Sequence, residues 1–266
     1  MTAALAVAAP QWRIGTDRSA AARTALAAGA DELHLDFGGA HRGALLCEPG
    51  ELRTAMAFAG DIPVPVLAVN HVNDIGLARP RGVANAAALA LVERALECAS
   101  SLGARVLHIP GFRRSLPYTE GMRAGTVEAL RVLCGRACAA GLTLAYESPL
   151  GPGASLALAR AVDRPELRLV LDTGNLLDAG EVPMEFAASV GAAGLLLPDL
   201  HVKDPARAAD SGGATPAPDE LRNLLRRTGA RSVLVENDYR CAVARLRTDI
   251  TLCRTAAEPS PFEDDR

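Results

Sequence analysis

Four side chains with metal-binding chemistry recur along the second half of the sequence, each at the end of a short apolar run. They are Glu147 in GLTLAYES, Asp172 in LRLVLDTGN, His201 in DLHVKD and Glu236 in VLVEND, and successive members stand 25, 29 and 35 positions apart. Three carboxylates buried together are unfavourable unless a cation or protons neutralise them. Because oxygen donors dominate the set, it predicts one divalent metal ion, with Mn²⁺, Mg²⁺ or Co²⁺ favoured and Zn²⁺ also compatible.

The elements that must position these side chains are short β-like runs alternating with alanine-rich helical patterns. The predicted strands are Leu5–Ala9, Glu32–Phe37, Val64–Asn70, Arg105–Ile109, Leu142–Glu147, Arg168–Asp172, Leu196–His201 and Ser232–Glu236. The predicted helices include Asp17–Ala28, Ala84–Ser101 and Met122–Ala140, with Asp17 and Thr119 as N-caps and Gly29, Gly103 and Gly141 at helix ends.

Eight strands alternating with helices, at roughly 30 residues per unit, predict an α/β chain folded as a single (β/α)8 barrel. We expect the barrel to span residues 1–256 and residues 257–266 to form a disordered polar tail. An open, doubly wound sheet is disfavoured, because no glycine-rich GxGxxG turn follows an early strand.

The barrel explains how residues so far apart could form one site. Active sites of such barrels lie at the C-terminal ends of the strands. Glu147, Asp172, His201 and Glu236 end predicted strands five to eight, so their side chains are expected to converge. The alternative, in which each is a separate ion-pair partner or helix cap, is weaker for four residues in register than for one alone.

Lys203 is the only lysine among the 28 basic residues of the chain. It lies two positions after His201 and faces the same way if the alternation of the strand persists. Lysine, unlike arginine, loses its proton when it is desolvated or placed beside a metal. We therefore predict that Lys203 takes part in acid–base chemistry or stabilises an oxyanion, the alternative being an ion pair with Asp204.

Three further histidines, His34, His71 and His108, are predicted to end strands two, three and four, and Trp12 follows strand one. Singly, such histidines are more often core residues than ligands. As a group they are expected to donate hydrogen bonds to substrate hydroxyl groups. Trp12 is either a pocket wall against an apolar face of the substrate or a core residue.

Two polar segments near the same ends of the strands are less specific. Residues 205–218, PARAADSGGATPAP, are expected to form a mobile lid or rim after strand seven. Arg113 and Arg114 could bind a phosphate or carboxylate of a substrate, but a solvent-exposed pair is favoured. No dedicated phosphate-binding motif is present, so free and phosphorylated substrates both stay open.

With the four motifs above, the sequence resembles the xylose-isomerase-like barrel superfamily of sugar isomerases, epimerases and related dehydratases, over about residues 3–250. The resemblance implies that Glu147, Asp172, His201 and Glu236 bind the metal, and that the two glutamates also flank the substrate as an acid–base pair. It further implies that Arg207, six residues beyond the histidine, contacts substrate oxygens.

Two positions depart from the pattern of the superfamily. Asn175 stands where many of its epimerases have a substrate-contacting histidine, and His34 stands where a glutamate commonly ends strand two. Both are expected to lie near the substrate. The apurinic endonucleases of the superfamily, which use histidines like His71 and His108, also need a histidine at position 175 and an Asp-x-His pair near residues 211–218. The chain has neither, so phosphodiester cleavage is disfavoured.

The chemistry expected of such a site begins with chelation of a ketone oxygen and an adjacent hydroxyl by the metal, which acidifies the α-proton. A carboxylate removes this proton, and its return to another face or carbon gives epimerisation or isomerisation. We therefore predict a metal-dependent isomerase or epimerase of a small hydroxy-ketone, either a ketose or a keto-cyclitol. A dehydratase of the inosose or dehydroshikimate type is the alternative on the same ligands, and a non-catalytic barrel is a third.

The composition narrows the partners and the compartment. The net charge is -3 and the pI is about 6.0, which argues against a basic nucleic-acid-binding surface. The sequence shows no apolar run of about 18 residues and no basic segment preceding an apolar one at its start. We expect a cytoplasmic protein that binds a small polyhydroxy ketone or keto-acid, with no nucleic-acid or membrane partner and with homo-oligomer formation open.

Overall fold

The computed structural model describes residues 4–204 and 217–258. Within them, the strands are β1 Ala6–Pro10, β2 Glu32–Asp36, β3 Val66–Ala68, β4 Ala78–Arg79, β5 Val83–Ala84, β6 Val106–Pro110, β7 Thr143–Glu147, β8 Leu167–Leu169, β9 Asp199–Val202 and β10 Ser232–Val235. The α-helices are α1 Gln11–Ile14, α2 Arg18–Ala28, α3 Glu51–Ala59, α4 Val72–Ile75, α5 Ala86–Leu102, α6 Glu120–Ala139, α7 Pro152–Val162, α8 Thr173–Asp178, α9 Pro183–Ala192, α10 Ala217–Thr228 and α11 Val243–Ala257. Two 3₁₀ turns, Ala40–Arg42 and Arg113–Ser115, follow β2 and β6.

Eight of these strands form one sheet in the order β8-β7-β6-β3-β2-β1-β10-β9, and all the pairings within it are parallel. Two isolated parallel bridges, Leu169 with Leu196 and Asp172 with His201, join the two ends of this sheet. The sheet therefore closes on itself, and the prediction of an α/β chain with a (β/α)8 barrel is confirmed. The remaining strands, β4 and β5, form a small antiparallel hairpin after β3.

The ends of several helices lie where short-range chemistry predicts them. The Asp17 side chain accepts a hydrogen bond from the Ala20 backbone N–H, and Thr119 caps α6 in the same way. Gly29 and Gly103 adopt left-handed conformations, with φ of 91° and 70°, after α2 and α5. Among the described residues, no helix is both long enough and apolar enough to cross a bilayer.

Three predicted boundaries differ from the structure, two of them for a clear physical reason. The regular strand β9 begins at Asp199 rather than Leu196, because Pro198 has no backbone N–H to donate to the ladder. Strand β8 ends at Leu169, and the chain then rejoins the sheet through the bridge at Asp172. Helix α5 begins at Ala86 rather than Ala84, because the preceding residues pair in the β4–β5 hairpin.

The alternation of side chains along the strands places the polar residues inside the barrel. Val66, Val106, Ala145, Val170 and Leu197 form a small apolar cluster of their own, separate from the main core. Val106, Ala145 and Val170 stand two positions before His108, Glu147 and Asp172, and Leu197 stands four positions before His201. Because successive side chains of a strand point to opposite faces, these four polar side chains share the inner face with the cluster.

Candidate metal centre and active site

The four predicted ligands come together at the C-terminal end of the barrel. Glu147 is the last residue of β7, His201 lies in β9, Asp172 caps α8 and Glu236 directly follows β10. All four are buried, none being more than 8% exposed. One donor atom from each lies within 4.8 Å of the donor atoms of the other three. The structure therefore brings together all four residues that the sequence singled out.

The donor atoms of this cluster fit a bound cation. His201 Nδ1 lies 3.0 Å from Glu147 Oε2 and 3.4 Å from Glu236 Oε2. Neither His201 Nδ1 nor Asp172 Oδ2 makes a well-directed hydrogen bond, although both are buried. Their close partners, Glu147 for His201 and Lys203 for Asp172, are ion-pair contacts that do not direct a proton well at either atom, so a cation at this point would be a suitable partner for both. Carboxylate oxygens with one imidazole nitrogen are suitable donors for a divalent metal ion.

The electrostatics of the cluster follow from crowding three carboxylates. Burial lowers the pKa of His201, but the adjoining Glu147 and Glu236 carboxylates outweigh it and raise that pKa to about 10. Burial and the charge of Glu147 raise the pKa of Asp172 to about 7. Burial also opposes ionisation of Glu147 and Glu236, yet His201 and, for Glu236, the ammonium of Lys203 outweigh it and lower both pKa values. Without a metal ion, protons and Lys203 thus neutralise the cluster.

Lys203 contacts the predicted ligands directly. Its Nζ lies 2.9 Å from Asp172 Oδ2 and 3.7 Å from Glu236 Oε2. Burial lowers the pKa of Lys203, but these carboxylates outweigh the effect and raise it, so the side chain is an ammonium. A Cβ at Gly174 would come within 2.6 Å of Lys203 Cβ, so the close packing of this lysine on α8 requires glycine there.

Asn175 links three members of the cluster. Its Nδ2 donates a hydrogen bond of 2.5 Å to Glu147 Oε1, and its Oδ1 accepts one of 2.7 Å from Lys203 Nζ. Its backbone N–H donates to Asp172 Oδ1 at 2.7 Å, which is the N-cap bond of α8. The sequence predicted that Asn175 lies near the substrate, but its double side-chain contact depends on the packing of α8 against β7 and β9.

His34 and His108, two of the three other histidines that the sequence singled out, lie next to His201. His108 Nε2 lies 2.9 Å from Glu147 Oε2, and the centres of the His108 and His201 rings are 5.1 Å apart. The His34 ring lies 6.1 Å from that of His201 on another side. The prediction that His34 and His108 end their strands is wrong, because each is the third residue of a five-residue strand. They therefore lie one layer deeper in the barrel.

The depth of each histidine decides what it can contact. Burial, together with His201 and His108, lowers the pKa of His34 well below its usual value, so its ring is neutral. Only His108 of the three predicted substrate-contacting histidines lines the cavity described below. His71 follows β3 and contacts Asp74 at 3.2 Å. The positions of His34 and His71 argue against direct contact of either ring with a substrate.

A cavity of about 410 Å³ opens above the cluster. Its lining includes Trp12, His108, Glu147, Asn175, Lys203 and Glu236. The indole N–H of Trp12 donates to Glu236 Oε1 at 3.2 Å, so this residue is a wall of the cavity as well as a partner of a predicted ligand. The volume is suited to a small molecule and places two carboxylates, an ammonium and an imidazole on its surface.

Four arginines also line the cavity, namely Arg13, Arg42, Arg113 and Arg240. Of these, only Arg113 was singled out from the sequence, with exposure predicted; its side chain is 55% exposed and contacts Asp74 at 3.1 Å. All four follow the C-terminal ends of barrel strands, and this position in the sequence could have identified them as candidates for the cavity lining. Because nearly all of the 28 basic residues are arginines, these four did not stand out in the sequence. Arg207 and most of the predicted 205–218 loop lie outside the described residues.

The sequence is similar to known proteins along most of its length. A family model described as xylose isomerase-like TIM barrel matches residues 22–249. The 2-epi-5-epi-valiolone 7-phosphate 2-epimerase of Actinoplanes sp. (strain ATCC 31044 / CBS 674.73 / SE50/110) is 35% identical over 259 residues, which cover 93% of each chain.

Solved structures share the fold at lower sequence identity. A xylose isomerase-like TIM barrel protein from Mycobacterium smegmatis in complex with magnesium has a TM-score of 0.66 at 15% identity, covering 96% of this chain and 98% of its own. The 3-keto-D-glucoside 4-epimerase of E. coli has a TM-score of 0.68 at 17% identity, covering 94% and 99%. The extent of the family match and the identity to the Actinoplanes protein show that the chain belongs to the xylose isomerase-like TIM barrel family.

Proposed function

We propose that this protein is a divalent-metal-dependent epimerase of a small hydroxy-ketone, with a keto-cyclitol favoured over a ketose. The observation that carries the proposal is the buried cluster of Glu147, Asp172, His201 and Glu236 beneath a cavity sized for one small molecule. The name of the Actinoplanes relative, an epimerase of a phosphorylated valiolone, supports the substrate class. Mg²⁺, Mn²⁺ and Co²⁺ suit the mostly oxygen donor set, and Zn²⁺ is compatible with it.

A divalent ion, if bound, would be held by Glu147, Asp172, His201 and Glu236 and would supply Lewis-acid stabilisation of negative charge on a substrate oxygen. The α-proton of the substrate is moved by Glu147 and Glu236. Their strands flank those of Asp172 and His201, so the two carboxylates face the cavity from either side of the centre. Removal of the proton by one carboxylate and return by the other reverses the configuration of the carbon.

Neighbouring side chains fix the carboxylate groups of the two glutamates. Asn175 and His108 contact the two oxygens of Glu147, while Trp12 and Lys203 contact those of Glu236. Fixed carboxylates of this kind are oriented before substrate binds, which lowers the entropic cost of proton transfer.

Lys203 has a different task from the glutamates. Because neighbouring carboxylates raise its pKa, it stays an ammonium and is a poor base. We assign it to stabilising negative charge on a substrate oxygen while it holds Asp172 in place. His108, Asn175 and Trp12 are assigned to contacts with substrate hydroxyls and ring atoms, and Arg207 keeps the role that the resemblance implies.

The test is exchange of solvent deuterium into a panel of ketoses and keto-cyclitols, each with and without a phosphate ester, in the presence of Mg²⁺ or Mn²⁺. The wild type is expected to incorporate deuterium α to a carbonyl, whereas Glu147→Gln and Glu236→Gln lose about two orders of magnitude or more in rate. Glu93→Gln, which removes an exposed glutamate paired with Arg136 on the outer helices, is the matched control and retains full exchange. A dehydrated product assigns the dehydratase alternative, and absence of exchange across the panel refutes the proposal.

A further inference from the structure

The mouth of the cavity carries more positive charge than its own acids neutralise. Arg13, Arg42, Arg113 and Arg240 line it, and in the part of the chain that the structure describes their ion-pair partners outside the metal-binding cluster are Asp74 and Asp238. Four guanidinium groups therefore face two carboxylates. Arg13 also contacts Glu236 at 3.5 Å, but that carboxylate belongs to the cluster below.

The charges of the cluster balance among themselves once a divalent ion is bound. Glu147, Asp172 and Glu236 supply three negative charges, and the ion together with the ammonium of Lys203 supplies three positive ones. Within residues 4–204 and 217–258, the two excess positive charges at the mouth therefore have no counterpart in the site. A phosphate monoester, which carries about -1.5 to -2 at neutral pH, matches this excess, whereas a single carboxylate leaves half of it uncompensated.

Arg42 and Arg113 are arranged as a pair around one carboxylate. Arg42 Nη2 lies 3.4 Å from Asp74 Oδ2, and Arg113 Nη2 lies 3.1 Å from Asp74 Oδ1. Burial opposes ionisation of Asp74, but His71 and the two arginines outweigh it and lower its pKa, so it remains an anion that holds both guanidinium groups. The side chains of Arg42 and Arg113 are 14% and 55% exposed and both line the cavity, so their guanidinium groups remain accessible to a ligand.

The loop that carries Arg42 is held in place from below. Arg18, which is buried on α2, donates hydrogen bonds to the backbone carbonyls of Asp36, Phe37 and Ala44. These bonds fasten both ends of the segment that contains the Ala40–Arg42 turn. A fixed loop presents its arginine at little entropic cost when a ligand binds.

We propose that Arg42 and Arg113 form a phosphate-binding subsite at the mouth of the cavity, and that the substrate is a phosphate monoester of the hydroxy-ketone. This inference rests on the proposed function for the identity of the reacting end, but the subsite itself stands on the arginines. Planar guanidinium groups bind phosphate through paired, charge-assisted hydrogen bonds. The reacting carbon then lies over the cluster while the ester group is held at the rim.

The first experiment compares deuterium exchange into 2-epi-5-epi-valiolone and its 7-phosphate by the Mg²⁺-loaded protein. The phosphate ester is expected to react with a kcat/KM at least tenfold higher. Arg42→Gln and Arg113→Gln are each expected to lower that value roughly tenfold or more for the ester, with little change for the free ketone, because each removes charged hydrogen bonds. Arg136→Gln, on the outer helices, is the matched control and leaves both rates unchanged.

The second experiment tests the subsite without turnover. Trp12 is the only tryptophan of the chain and lines the cavity, so its fluorescence reports ligands that enter. Inorganic phosphate titrated into the Mg²⁺-loaded protein is expected to bind saturably and at least tenfold more tightly than acetate. Combining Arg42→Gln with Arg113→Gln is expected to abolish this binding, while Arg136→Gln preserves it.

The two experiments separate the failure of each idea. Equal exchange into the ester and the free ketone, or phosphate binding that survives loss of both arginines, overturns the subsite and leaves the epimerase proposal standing. Arginine-dependent phosphate binding without exchange into any ketone of the panel supports the subsite and refutes the proposed function.

Discussion

Replacement of Asn175 tests how the site is organised, because one amide connects a predicted base to the only lysine. In the structure, Asn175 donates to Glu147 Oε1 at 2.5 Å and accepts from Lys203 Nζ at 2.7 Å. Asn175→Ala removes both contacts but keeps the backbone N–H that caps α8 on Asp172. Asn175→Asp keeps an acceptor for Lys203 and replaces the donor to Glu147 by a second carboxylate oxygen.

The magnitude follows from the kind of contact that is lost. A hydrogen bond to a charged group contributes about 1.5–3 kcal/mol, and water can enter the cavity to replace part of it. We expect Asn175→Ala to cost roughly 2 kcal/mol in the transition state, or about 30-fold in kcat/KM. Asn175→Asp is expected to be worse, because like charges in contact raise the pKa of Glu147 and leave less of the base ionised.

The assay is the rate of deuterium exchange against pH, with thermal unfolding as a check that both variants fold. The acidic limb of the profile is expected to move to higher pH in both variants, and further in Asn175→Asp, because Asn175→Ala only removes a donor to Glu147 whereas Asn175→Asp also adds a like charge. If Asn175→Asp has wild-type kcat/KM and an unmoved profile, Asn175 does not organise Glu147 and the reasoning fails.

Three further predictions concern metal binding, the packing of Lys203 on α8, and the hydrogen bonds that hold the loop after β2. Because the pKa of His201 is about 10 without metal, metal binding at pH 7 must displace its proton. The affinity for the metal ion should therefore rise with pH up to about 10, and calorimetry in buffers of different ionisation enthalpy should show release of about one proton or more. Gly174→Ala should push Lys203 away and lower both metal affinity and exchange rate, with unfolding destabilised by about 1–3 kcal/mol in a denaturant titration; unchanged values would contradict the contact. Arg18→Met should destabilise the fold by about 3 kcal/mol or more, because Glu51 and three backbone carbonyls lose their donor, and a shift of the urea midpoint measures it.

Much of the fold was predictable because it depends on local chemistry. Asp17 and Thr119 cap helices through hydrogen bonds to residues three positions away, and Gly29 ends one by adopting a conformation that other residues resist. The four predicted ligands were recognisable for a related reason. Each lies within or just after the C-terminal part of a short buried strand, and the closure of the barrel then brings these parts of the strands to one point.

The rest of the site depends on tertiary placement that spacing does not encode. His34 and His108 lie inside strands whose bounds were predicted to within one residue, but the depth of each ring depends on its distance from the end of the strand, and two residues correspond to one layer of the barrel. The bridging contacts of Asn175 and the pairing of Arg42 with Arg113 arise between loops distant in sequence. Only the three-dimensional arrangement reveals them.

Metal binding by the four clustered side chains is tested most directly by the metal content of the purified protein. It is measured by elemental analysis after equilibration with Mg²⁺ or Mn²⁺ and removal of free ion. We expect about one divalent ion per chain in the wild type and in the Glu93→Gln control. We expect loss or marked weakening of binding in Glu147→Gln, Asp172→Asn, His201→Asn and Glu236→Gln. A wild type without metal, or four variants that keep it, would contradict the claim that these side chains form a metal centre.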